Sequence, residues 1–286
     1  PMNIKSFLSA LLPALLLCAP LSAAEGMPGD HAEQYTQPPQ SLADMQDRAA
    51  RDWSRSVESP VPWLTVKDSI VTIYDQNDVK AYRAVYPQLQ LVDDDSSPLA
   101  KAFDAWNAEI GMGAWHSPIR TYSEEARAEA GKLPFYYSDI TPISRWGRVD
   151  DQMISFFMEG SSYAGGAHPI SHVDAYTFDR KTGRQIQLDE IVTNRTLLIA
   201  AIEAAFLTQY PAAVEQNFPH GVMETLLMQH PSEKGITGFI WYMAADGSLV
   251  IYYPESVLAS YAAGAFTLTI TRQDAPRLFT AAYPMN

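Results

Sequence analysis

Apolar positions recur along the chain with two different periods, and each change of period marks a new element. β-Branched and aromatic residues are dense at Ile70–Tyr74, Val79–Tyr86 and Leu89–Val92, which predicts strands. Ser97 followed by Pro98 has the form of an N-cap and a first helical residue. Leu99, Phe103, Trp106 and Ile110 then recur at spacings of four, three and four, one face of a helix that Gly111 and Gly113 should end. Ser123–Ala130 reads as a short helix. Ile154–Glu159 and Val173–Phe178 read as strands on either side of a glycine-rich connection. Asp179–Gly183 has the composition of a tight turn leading into a strand at Ile186–Leu188. Leu197, Leu198, Ala201, Ile202, Ala205 and Phe206 mark a second amphipathic helix, closed by Pro211. Phe239–Met243 and Leu249–Tyr253, joined through Asp246-Gly247, and finally Phe266–Ile270 complete the strands. Strands and helices mingle without regular alternation. The predicted class is therefore α+β: antiparallel sheets with a few packed helices, in two apposed halves.

The first 24 residues follow a different pattern. Lys5 precedes an apolar stretch from Phe7 to Leu17, and Ser22-Ala23-Ala24 offers small residues for cleavage before Glu25. That is the layout of a secretory signal peptide, too short to span a bilayer comfortably. The expected product is exported, periplasmic or extracellular, after cleavage near Ala24. Residues 25–62 are rich in Pro, Gln, Asp and Ser, with Pro38-Pro39 and Pro60-Val61-Pro62, and read as a flexible leader with one short polar helix at Ser41–Trp53. Residues 63–160 and 161–286 are expected to form N-terminal and C-terminal α+β halves. No later run reaches the roughly 18 apolar residues of a membrane helix, so no transmembrane helix is expected in the mature chain.

Composition narrows the classes of partner. The chain carries 33 Asp+Glu against 20 Lys+Arg, a formal net charge of −13. Loss of Lys5 with the signal would make it one unit more negative. This excludes non-specific nucleic-acid binding, which needs clustered cations on phosphates. The one cysteine, Cys18, lies in the signal segment. The mature chain would then hold no disulfide and no cysteine-based zinc or iron–sulfur site.

The most unusual segment is Ser161-Ser162-Tyr163-Ala164-Gly165-Gly166-Ala167-His168-Pro169. Adjacent glycines between strands allow unusual backbone dihedrals and a close approach of the flanking rings to another group. The run resembles the Tyr-x-Gly-Gly-Ala-His motif of the extracytoplasmic domain shared by the RsiV anti-sigma factor and the PdaC peptidoglycan deacetylase. Asp179 with Thr182-Gly183, followed by Leu188-Asp189-Glu190-Ile191, is similar to that family's Asp-x-x-Thr-Gly hairpin and the segment after it. Tyr86-Pro87 resembles the Tyr-Pro before the family's first long helix. Tyr252-Tyr253-Pro254 and Ser260-Tyr261-Ala262-Ala263-Gly264 resemble its aromatic-Pro…Tyr-Ala-x-Gly segment. The resemblance covers residues 66–272. Glu255-Ser256-Val257 departs from the Pro-Tyr-Glu common in the family.

The resemblance implies an α+β fold of two packed halves and recognition at the cell envelope, since the RsiV-type domain is a lysozyme receptor. The expected binding residues are Tyr163, Gly165, Gly166, His168, Tyr253, Pro254, Glu255 and Tyr261. The expected partner is a cationic envelope protein of the lysozyme-hydrolase type, or peptidoglycan itself, with no cofactor. The acidity fits the former, because opposite charge raises encounter rates.

The alternative is an enzyme that modifies peptidoglycan or another polysaccharide through His168 and nearby acids, with or without a metal. His168, His172 and Asp174 share one face if the segment is extended, and could ligate zinc or iron. The plainer reading has His168 bonded within its loop and His172 at the surface, and no metal site is assigned. Ser161 and Ser162 lack the Gly-x-Ser-x-Gly spacing of a nucleophile elbow. Asp93-Asp94-Asp95, Asp150-Asp151 and Asp189-Glu190 offer carboxylates for glycoside hydrolysis, but sequence does not place a pair across a sugar. Trp115, Trp146 and Trp241 are candidates for sugar stacking or for core packing.

Overall fold

A computed structural model describes residues 51–74, 80–115, 137–165, 167–231 and 235–285. A long first sheet begins with β1 (Arg51–Val57), β2 (Leu64–Tyr74) and β3 (Lys80–Leu91), an antiparallel meander. Helix α1 (Pro98–Trp115) follows, and beyond it β4 (Tyr137–Ile140) pairs with β3 in parallel. β4 and β5 (Ile143–Val149) then pair in succession with β6 (Met153–Tyr163), while β7 (Ile170–Asp179) pairs with β6 along its whole length. The order is β1-β2-β3-β4-β6-β5, with β7 on β6.

A second, three-stranded antiparallel sheet contains β8 (Ile240–Met243), β9 (Leu249–Tyr253) and β10 (Phe266–Ile270), in the order β10-β9-β8. Between the sheets in sequence come α2 (Leu188–Ile191), α3 (Arg195–Gln209), α4 (Pro211–Asn217) and α5 (Val222–Gln229). The α+β class is as the sequence predicts. The parallel β3–β4 pair is not, and it arises because the chain crosses over through α1 between those strands.

Alternation of side chains assigns the layers. Ile154, Phe156 and Met158 of β6 point to α1, where Trp106 meets Phe156 and Tyr176 edge-on at 5.4 Å. Phe157 points the other way, to Tyr242 and Tyr252 of the small sheet. The far face of that sheet, Leu249, Ile251, Tyr253, Phe266 and Leu268, packs on Leu198, Ile202 and Phe206 of α3. Local order is therefore helix, sheet, sheet, helices. β6 is buried on both faces from Met153 to Met158, which is why its sequence is continuously apolar rather than alternating. Truncating one of these rings to Ala would cost about 3–5 kcal/mol. The one polar side chain in that stretch, Ser155, ties the sheets together. It bonds Thr177 at 2.7 Å and accepts the Met243 N–H at 2.9 Å. At Gly147 a Cβ would overlap the Met243 carbonyl, so glycine permits this close approach of β5 and β8.

Side chains also close the edges of both sheets. Past the end of β4, Asn107 of α1 accepts the Leu89 N–H at 2.9 Å and donates to its carbonyl at 2.8 Å. Val85, two residues before Pro87, has its carbonyl on that same side, bonded to the Thr141 N–H. Pro87 therefore lacks its N–H where no strand needs it, and the two strands expected at Val79–Tyr86 and Leu89–Val92 are one. On β10, Gln209 satisfies Thr269 N–H and C=O, and the Tyr210 hydroxyl does the same for Thr267. Both devices block pairing with another chain.

Other expectations shift. β1 occupies Arg51–Val57, inside the segment expected to be a flexible leader, and is tied to β2 by Arg55 and Asp68 at 2.6 Å. The rest of the expected Ser41–Trp53 helix, and Ser123–Ala130, lie outside the described residues. α1 has the expected cap, with the Ala100 N–H donating to Ser97 Oγ at 3.1 Å, but it runs through Gly111 and Gly113 to Trp115. Ile186–Leu188 is not a strand: one bridge, Phe178 to Gln185, is followed directly by α2. Pro211 ends α3 by starting α4 at its first position. The expected division at residues 160 and 161 falls within β6, and the two sheets part after β7 instead. Among the described residues no single helix is long and apolar enough to cross a membrane.

Candidate functional site

The loop between β6 and β7 sits at one end of the long sheet. Gly165 takes φ +79°, the left-handed region that favours glycine. Gly166 lies outside the described residues. His168 is exposed, and its Nδ1 bonds the Pro169 carbonyl at 2.9 Å. Its ring stacks on Tyr261, centroids 6.5 Å apart and planes 25° apart. Tyr261 is 69% exposed, on a short 3₁₀ turn (Tyr261–Ala263) between β9 and β10, and Ile170 beside the loop is 56% exposed. Two segments separated by some 90 residues thus meet through exposed rings. Ser256 nearby in sequence takes φ +65°, a costly conformation for a residue with a Cβ. It lies in the triplet that departs from the family pattern.

The other expected residues divide. Tyr163 closes β6, half-buried, where its proximity adds to burial in raising the Tyr137 hydroxyl. Pro254 and Glu255 are half-buried at the end of β9. Burial first, then the Glu159 and Glu255 carboxylates, raise the hydroxyl of neighbouring Tyr252, while Arg145 opposes them. Tyr253 does not belong to the surface. It is 3% exposed, faces Phe206 of α3, and its hydroxyl lies 3.1 Å from Nε2 of buried His230. A side chain one position along a strand points to the opposite face, so Tyr252 turns to the large sheet and Tyr253 to the helices.

Directly beneath the loop lies a cluster that sequence reasoning missed. His172 Nε2 is 2.6 Å from Thr141 Oγ1, and Nδ1 is 3.4 Å from Ser162 Oγ. Ser162 Oγ also donates to Asp139 Oδ1 at 3.1 Å. One tautomer satisfies the whole chain: the Thr141 hydroxyl donates to Nε2, Nδ1–H to Ser162, and the Ser162 hydroxyl to Asp139. β4, β6 and β7 supply these groups, with Asp139 opposite Ser162 and Gly160 opposite His172. The imidazole needs that glycine, since a Cβ at 160 would stand 2.5 Å from Nε2. Gly160, just past the strand predicted at Ile154–Glu159, is the one sequence signal that could have pointed here.

No group of three or more metal-ligating side chains comes together among the described residues. His172 and Asp174 share a face of β7, but His168 precedes the strand and turns to Tyr261. One acid of each acidic run is tied to neighbouring backbone or arginine groups. Asp94 accepts the Ser96 and Ser97 N–H groups, Asp150 pairs with buried Arg148 at 2.5 Å, and Glu190 makes two 2.6 Å bonds to Arg184. Asn194 caps α3 by accepting the Leu197 N–H at 2.9 Å. Trp146 packs on Phe156 and Trp241 against the helix-side core. The side chain of Trp115 lies outside the described residues.

Comparison with solved structures fixes the fold. A member of the DUF3298 family from Bacteroides fragilis NCTC 9343 matches 82% of this chain and 95% of its own, with TM-score 0.53 and 14% identity. A DUF3298 family protein from Pseudomonas aeruginosa PAO1 matches 80% of this chain and 99% of its own, with TM-score 0.51 and 14% identity. The chain shares the DUF3298 fold. DUF3298 is the domain found in RsiV- and PdaC-like proteins, so the fold expected from the glycine motif is the fold of these neighbours. No profile of a known family matches the sequence, and no curated protein matches it.

Proposed function

We propose that the chain is an exported envelope binding protein that uses the β6–β7 loop and the Tyr261 turn to recognise a cationic wall hydrolase of lysozyme type. One observation carries the reading: an exposed imidazole–phenol stack, with Ile170 beside it, on a loop held between two fully paired strands in a chain of net charge −13. Rigid strands present the loop, exposed aromatics supply contact area at low entropic cost, and the acidity steers a basic partner. Titration calorimetry against a c-type lysozyme at low and high salt tests it. Binding heat should appear at low salt, weaken at high salt and vanish in Tyr261→Ala. Absence of heat at both salts, with folded protein, would refute the reading.

A second reading rests on the Thr141–His172–Ser162–Asp139 chain. A hydroxyl held 2.6 Å from an imidazole nitrogen has the arrangement of a nucleophile and its base, which favours a polysaccharide-modifying hydrolase. In this reading the base is His172 rather than His168, which bonds its own loop. Release of acetate or soluble fragments from purified sacculi, lost in His172→Gln, would support it. No release by the wild-type protein would end it.

A further inference from the structure

At the opposite end of the large sheet a cavity of about 220 Å³ opens between the start of α1 and the β7 turn. Trp63, Leu91 and Leu99 give it an apolar side, and Arg180, Asp94 and Ser97 a polar one. Leu99 is buried in the α1 core, and Trp63 is half-buried against that same core, so the apolar side is part of the rigid interior. The Arg180 guanidinium lies 3.9 Å above the Trp63 ring. Its Nη1 donates to the Asp150 carbonyl at 3.1 Å and its backbone N–H to Gln152 at 2.9 Å, so the group is fixed in place. Across the opening, Asp94 Oδ1 accepts the N–H groups of Ser96 and Ser97. The Ser97 hydroxyl together with those two N–H bonds holds the carboxyl below its ordinary range against the effect of burial, so it is ionised at neutral pH.

We infer that this cavity binds a neutral saccharide ring. A planar donor and a fixed acceptor face each other beside an apolar wall, which is how small-ligand sites orient polar groups over a hydrophobic floor. An anion would meet Asp94 and a cation would meet Arg180, so a ligand with net charge of either sign loses on one side what it gains on the other. A pyranose has hydroxyls that donate and accept, and one carbon face without them. The volume suits a single ring rather than a drug-sized molecule. This site is separate from the β6–β7 loop and does not depend on the reading proposed for it.

The test follows the Trp63 indole N–H signal in ¹H–¹⁵N spectra, assigned by its loss in Trp63→Phe. The probes are N-acetylglucosamine, maltose and the zwitterionic dipeptide Ala-Ala. At least one sugar should shift the signal with a Kd of about 1–10 mM, a weak single-ring affinity. Arg180→Leu and Asp94→Asn should each weaken it about tenfold or more, and Ala-Ala should leave the signal unmoved. Tyr261→Ala should retain the sugar response, which separates failure here from failure at the loop. No shift with either sugar, or a shift with Ala-Ala as large as with the sugar, overturns the inference. So does an undiminished response in folded Arg180→Leu and Asp94→Asn.

Discussion

The two ends of the β6–β7 strand pair are built on opposite plans. Where β6 begins and β7 ends, polar groups are locked together across distant segments. Arg148, 2% exposed, donates to Asp150 and to the carbonyls of Tyr283 and Pro284, some 135 residues away. The Tyr283 hydroxyl donates to Asp179 Oδ2 at 3.0 Å, and Arg272 reaches the Tyr283 carbonyl as well. At the other end the connecting loop holds Gly165 in the left-handed region and the exposed His168 ring, which meets the exposed Tyr261 from the β9–β10 connection. The clamp fixes the strand pair so that the loop can leave apolar surface in water. Under the proposed function the clamp end holds the fold and the loop end recognises the partner, as expected where function draws on the least stabilised parts of a fold.

Substitutions at the clamp should break this division most strongly. Arg148→Ala removes a buried guanidinium that donates to the Asp150 carboxylate and to the Tyr283 and Pro284 carbonyls, and should cost about 3–5 kcal/mol in a urea melt. Loss below about 1 kcal/mol would show that the C-terminal strap is not a clamp. Gly147→Ala drives a methyl into the Met243 backbone carbonyl, which has no rotamer to retreat into, and should cost about 1–3 kcal/mol.

Tyr283→Phe is milder, about 1 kcal/mol, for one hydrogen bond to a partly exposed carboxylate. It also has a pH signature. Burial raises the Asp179 carboxyl, but the Thr182 N–H, the Tyr283 hydroxyl and other donors outweigh it and hold the group below its ordinary value. A carboxyl with a depressed folded-state pKa contributes stability above its unfolded pKa, near 4, and loses it as pH falls through the folded value. Melts from pH 6 down to pH 2 should therefore show the penalty of Tyr283→Phe shrinking with acidification. A penalty independent of pH would contradict that assignment. At the loop end, Tyr261→Ala should change stability by less than about 0.5 kcal/mol, because the ring is mostly in water.

Local chemistry was legible in the sequence and long-range assembly was not. The Ser97-Pro98 cap, the α1 face through Leu99, Phe103 and Trp106, and the Asp246-Gly247 hairpin each declare themselves within a few residues. Pro87 misled because its tolerance depends on β3 having a free edge there, which only the end of β4 reveals. Tyr253 misled because its neighbour in sequence faces another layer. The glycine loop could be located, and Tyr261 named with it as a binding residue through family resemblance, but their contact comes only from the fold. The Asp139, Thr141, Ser162 and His172 cluster comes from three strands and has no spacing to read. The Arg148 clamp depends on where residues 283 and 284 end up, which no local pattern encodes.

As proposed, the loop end recognises a partner without contributing to the fold. The most direct measurement titrates a c-type lysozyme into the wild-type protein and the His168→Ala/Tyr261→Ala double variant at low and high salt, with melting curves for both. Salt-sensitive heat is expected for the wild type, none for the variant, and melting temperatures within about 2 °C of each other. Equal heat from both proteins, or a variant that no longer folds, would contradict it.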